Sequence, residues 1–156
     1  MNRLINNLRL RLFTWLKVPL IAYLRPVIVE LNDRRCVLRV PLSRRSRNHV
    51  NGMYLGALCV GAECTVGVIA IQQIQDRRLR ISAVQRAFSA EFLDRADGDV
   101  HFVCEDVPAV LELIRRAEQS NERVEGPILV TATVPSTKGD AAVARFSCTL
   151  SLRSKR

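Results

Sequence analysis

"NHVNGMYLGALCVGAECTVGV" occupies residues 48–68. It opens with turn-forming residues and turns apolar after Gly52, with small residues at Gly56, Ala57, Gly61 and Ala62. The apolar run lacks strand alternation and continues for about 20 residues, which reads as a helix. A helix apolar on every side must be surrounded by other structure. One carboxylate, Glu63, lies in the middle of it.

Three readings of this helix stand open. As a transmembrane span, residues 50–71 have the length and the basic flanks. Glu63 near the midplane would then cost roughly 3 kcal/mol, and the segments on either side would be split across the bilayer. As plain core, Glu63 is an interface or helix-end acid satisfied by hydrogen bonds, because buried acids rarely go unpartnered. As an active site, the turn from Asn48 to Gly52 leaves amides around Tyr54, Leu55 and Gly56 at a helix N-terminus, where they can stabilise an oxyanion. Glu63 is then about 13 Å further along the axis. That is too far to serve the same carbonyl in one subunit, so a second protomer would bring its own Glu63.

Outward from this helix the pattern is mostly β. "VIVEL" and "CVLRVPL" read as strands joined by a turn at Asn32-Asp33. Beyond the helix, "SAVQRAFSAEFL" places Val84, Phe88, Ala90 and Phe92 on one face, with Arg86 as the exception. A turn at residues 96–99 then returns the chain through "VHFVC". "VPAVLELIRRAEQSN" reads as a short helix with Asp106 as its N-cap. Two alternating strands close the chain, "GPILVTATVPS" and "AAVARFSCTLSLR". Strands before and after one apolar helix indicate an α+β fold, an antiparallel sheet curled around that helix. Residues 1–24 are expected to form a separate amphipathic helical segment, with Leu4, Ile5, Leu8, Leu12, Trp15 and Leu16 mostly on one face. Its expected role is packing on the domain or covering a sheet edge, with membrane-surface contact as the alternative. Residues 25–156 form the single main domain.

Composition limits the function classes. The chain of 156 residues carries a net charge of +9, from 21 Arg and 3 Lys against 15 acids. This charge suits an anionic partner. Nucleic acid is not expected, because no binding motif with interleaved aromatics occurs and only 5% of residues are aromatic. Five cysteines without a C-x-x-C pair argue against a disulfide framework and a zinc ribbon, and for a reducing cytoplasm. The two histidines, His49 and His101, lack metal-ligand spacing, so no metal is expected.

"RNHVNGMYLGALCVGAE" resembles the central-helix signature of the hotdog-fold thioesterase superfamily. It is most similar to the domain-of-unknown-function branch beside the phenylacetyl-CoA thioesterase-like proteins. "FSAEFLDRADGDVHFVC" is similar to the hairpin after that helix. The resemblance implies a homodimer, with pairing into a tetramer left open, that binds an acyl-CoA thioester at the subunit interface. It implies Glu63 as general base or nucleophile, Asn48 positioning water or thioester, and Gly56 at the thioester oxygen. Where the phenylacetyl-CoA-type motif has His-Gly-Gly, this chain has Tyr54-Leu55-Gly56, and a Tyr54 hydroxyl can donate in place of the His. No cofactor is implied beyond the coenzyme A of the substrate, whose phosphates Arg77, Arg78, Arg80 and Arg86 are candidates to contact. The expected activity is acyl-CoA thioester hydrolysis; the alternative is a non-catalytic acyl-CoA or lipid-binding protein.

Overall fold

The small residues of the apolar segment set how closely the central helix approaches the sheet. In the computed structural model, which describes residues 3–155, this helix is α3 (Leu55–Asp76). A Cβ added at Gly61 would come within 2.3 Å of the Phe102 ring, so only glycine permits this contact. Ala57, Ala62, Val66, Ile69 and Ala70, spread around the helix, are buried as well. Full burial of a side chain such as Ile69 stabilises the fold by roughly 1.5–3 kcal/mol.

Two helices, α1 (Arg3–Lys17) and α2 (Pro19–Leu24), precede β1 (Val27–Leu31) and β2 (Cys36–Val40). After α3 come β3 (Ile81–Phe92), β4 (Val100–Cys104), α4 (Val107–Gln119), β5 (Val124–Thr133), the single turn α5 (Pro135–Lys138) and β6 (Ala142–Ser154). The strands form one six-stranded sheet in the order β1-β2-β4-β5-β6-β3. Every pairing is antiparallel. This is the α+β arrangement expected, an antiparallel sheet around an apolar helix with an extra helical segment at the N-terminal end.

Inward residues follow the period-two pattern: Ile128, Val130 and Ala132 of β5 lie beside Cys148, Phe146 and Ala144 of β6, and all are buried. The turn at Asn32 forms as expected, its Oδ1 accepting from the N–H groups of Arg34 and Arg35, both at 2.9 Å. Although α3 is long and apolar enough to cross a membrane, strands from both sides of it in sequence join one sheet, and that sheet packs against the helix and buries about half of its apolar stretch.

Three expectations are corrected. The segments read as a hairpin across residues 96–99 do not pair: β3 lies at the sheet's far edge against β6, while β4 sits between β2 and β5. Residues 96–99 form an open connection with a bend at Gly98 rather than a tight turn, and the Phe88 and Phe92 rings of β3 lie against Phe146 of β6, both staying partly exposed. Val84 does not share a face with Phe88, because a register shift at Arg86 inserts one residue between Gln85 and Ala87. Such a bulge moves the residues before it to the opposite face. Finally, Asp106 is the N-cap residue of α4 as expected, but its side chain makes no capping bond; its carboxylate accepts the N–H of Leu129 at 2.8 Å instead.

Candidate functional site

Ser46 organises the loop that leads into α3. Its hydroxyl donates to the Pro41 carbonyl at 2.7 Å, and its own carbonyl accepts the Tyr54 N–H at 2.7 Å. Asn48 ties the next turn: its Oδ1 accepts the N–H groups of Val50 and Gly52, each at 3.0 Å. The side-chain Nδ2 of Asn48 remains as a donor. Tyr54 is the N-cap residue of α3, in extended conformation and half exposed. Its N–H is spent on Ser46, so the free helix-start amides belong to Leu55, Gly56 and Ala57, one residue later than the sequence suggested. The Tyr54 ring lies over Gly56, where an added Cβ would stand 2.5 Å from its Cε1.

Glu63 is seven residues beyond Gly56 (63 − 56), about 10 Å along the axis. Its carboxylate has no hydrogen-bond partner among the described residues. Burial pushes its pKa up from the ordinary carboxylate range. It stands in the wall of a half-open cavity of about 160 Å³ lined by α1, α2, β1 and α3. Leu10 and Phe13 of α1, Ile21 of α2, Ile28 of β1 and Val68 and Ile71 of α3 make the wall mostly apolar. Gly67, one turn on, leaves room beside the acid: an added Cβ there would meet only Glu63 Oε1, at 3.9 Å. Part of the cover for α3 that the sequence assigned to a second protomer therefore comes from α1 and α2 of the same chain. Sequence reasoning did not find the α1 residues of this wall, because their place depends on how α1 docks.

The candidate arginines lie apart from the helix start. Arg77, at the C-cap of α3, is paired with Glu118 at 2.7 Å. Arg86, at the bulge of β3, is paired with Glu125 at 2.7 Å. Arg78 and Arg80 follow α3 without an ion pair among the described residues. His49 is exposed, and His101 is half-buried on β4 with its pKa lowered by burial and by nearby Arg39. No group of three or more His, Cys, Asp and Glu side chains among the described residues could hold a metal ion.

A family profile described as "Domain of unknown function (DUF4442)" matches residues 7–152. No curated protein matches the chain. Similar solved structures include a protein of Shewanella oneidensis described as "putative thioesterase", with a TM-score of 0.79, 13% identity, and coverage of 96% of this chain and 98% of that one. A Pseudomonas aeruginosa protein described as "Probable Thioesterase" has a TM-score of 0.76 and 22% identity, covering 94% of this chain and 95% of that one. A thioesterase of Haemophilus influenzae has a TM-score of 0.66 and 11% identity, covering 92% and 88%. At these identities the likeness establishes a shared hotdog fold.

Proposed function

The chain belongs to the DUF4442 family, and from that premise we propose that it hydrolyses acyl-CoA thioesters, with Glu63 as general base or nucleophile. The observation that carries this reading is the Glu63 carboxylate: half-buried, unpartnered among the described residues, and set in the wall of an apolar cavity. Thioester hydrolysis needs a carboxylate, a held water and donors for the developing oxyanion. The amides of Leu55, Gly56 and Ala57 are such donors, with the positive end of the α3 dipole behind them.

Donors and base are too far apart within one subunit, so the complete site takes Glu63 from one protomer and the helix start from its partner. The edge of β3 that faces away from β6 is free for strand pairing with a second copy. The Nδ2 of Asn48 donates to the water or thioester oxygen, and the Tyr54 hydroxyl to the same region. Arg78 and Arg80 are the freer candidates for the coenzyme A phosphates; Arg77 and Arg86 would have to leave Glu118 and Glu125. The cavity beside Glu63 takes the acyl group. An apolar cavity of similar size binds benzene, so 160 Å³ takes at least about six carbons, and the open side leaves a longer chain room to continue. Five free thiols support a reducing, cytoplasmic setting.

One observation favours binding without turnover: the Tyr54 ring over Gly56 crowds the helix-start amides. Thiol release from short, long and aryl acyl-CoA esters, compared between wild type and Glu63→Gln, separates the two. Turnover lost in the variant establishes hydrolysis through Glu63. Saturable binding with no thiol release from any ester establishes the binding protein.

A further inference from the structure

Helix α1 packs with its apolar face outward. Its buried residues are Asn6, Leu10 and Thr14, whereas Leu8, Leu12, Trp15 and Leu16 are 68%, 58%, 71% and 58% exposed. The apolar surface continues onto α2 through Leu20 and Tyr23, both mostly exposed. Hydrophobic burial would turn a free helix the other way, but specific bonds hold this one. The Asn7 amide bonds both backbone groups of Ile28, and Arg9 pairs with Asp76 at 2.8 Å.

The charge that this segment itself carries has a single sign. Residues 1–29 contain Arg3, Arg9, Arg11, Lys17 and Arg25 and no acid. A groove between α1 and α2 is walled by Leu12, Trp15 and Tyr23, with Arg11, Arg25 and Arg45 beside them. The Arg45 guanidinium stands 5.2 Å above the Tyr23 ring.

We propose that α1 and α2 dock this face on an anionic phospholipid surface. Exposed Leu and Trp beside Arg and Lys, in a helix lying flat, is the pattern by which interfacial helices bind bilayers. With 15 residues, α1 is too short to span one. Trp15 and Tyr23 suit the headgroup level, where one end of the ring is apolar and the other wet. The basic residues attract lipid phosphates. A second copy fits less well, because an isologous contact would set the same cations against each other. Helix α1 lies over β1, at the opposite sheet edge from β3, so edge pairing through β3 leaves its outer face uncovered. Docking brings the cavity wall formed by Leu10 and Phe13 next to the lipid surface.

The test is co-sedimentation of the full chain with phosphatidylcholine vesicles, with and without phosphatidylglycerol. Binding is expected only to the anionic vesicles and is expected to weaken with added salt. Trp15→Glu with Leu12→Glu should lower it at least about tenfold. Arg11→Gln with Arg25→Gln should lower it without changing the thermal midpoint, since both side chains are exposed. Failure to bind either vesicle overturns the proposal. So does equal binding by the Trp15→Glu, Leu12→Glu variant, or a drop in its sedimentation mass without vesicle binding in wild type, which would make this face a contact between copies. None of these outcomes depends on thioester turnover.

Discussion

The Asn7 side chain occupies the place of a neighbouring strand beside Ile28: its Nδ2 donates to the Ile28 carbonyl at 3.0 Å, and its Oδ1 accepts the Ile28 N–H at 2.8 Å. A sheet edge presents unpaired backbone groups that invite pairing with other chains. One side-chain amide satisfies both backbone groups of Ile28, the second residue of β1, and fixes the rotation of α1.

Asn7→Leu should therefore destabilise the fold by about 1–3 kcal/mol, for the loss of two part-buried hydrogen bonds at about 0.5–1.5 kcal/mol each. Urea unfolding of the variant checks this. Because the amide is what holds the apolar face outward, the variant should also bind less of a hydrophobic dye if α1 rolls over. An unchanged midpoint would show that water replaces the amide without cost.

Two glycines on α3 predict opposite signs for the same substitution. Gly61→Ala puts a methyl within 2.3 Å of the Phe102 ring, and overpacking of this kind costs about 1–3 kcal/mol. Gly67→Ala meets only Glu63 Oε1 at 3.9 Å, and alanine in a helix interior gains about 0.5–1 kcal/mol over glycine. Thermal midpoints should fall for the first and rise for the second.

The central helix, the first hairpin and the inward faces of β5 and β6 were legible in the sequence because burial there follows local periodicity. The partner of β3 was not, since turn-forming residues at 96–99 suit a hairpin and a longer open connection equally, and the choice between them is made by the rest of the sheet. The bulge at Arg86 was visible only as a charge in an apolar series. Glu63 stood out as a lone acid, but its cavity depends on α1, and nothing in the pattern of α1 says that Asn7 outweighs six apolar residues in orienting it.

The cysteines divide by burial. Burial pushes the Cys36 and Cys148 thiols up to about 12 and Cys104 to about 11, and raises Cys64 as well. Cys59 is half-buried and more accessible than the others. A thiolate-selective reagent at neutral pH should label Cys59 first in the native protein and all five only in denaturant, as mass spectrometry of the labelled chain would show. Fast labelling of Cys64 would mean that the helix opens.

Glu63 gives a pH dependence whose sign is fixed by its environment. Burial raises its folded pKa above the unfolded value, so between the two the native state holds the extra proton. Stability linked to this group is then greatest below the unfolded pKa and falls as pH rises through the folded one. Glu63→Gln removes the titration, so its thermal midpoint relative to wild type should increase from acidic to neutral pH. If Glu63 is the base, the acidic limb of kcat/KM in wild type should lie above the usual carboxylate range, at the same pH where that stability difference changes. Coincidence of the two transitions would tie catalysis to this carboxylate. A stability difference independent of pH would show that Glu63 is hydrated in the native protein and lacks the raised pKa that a base in this cavity requires.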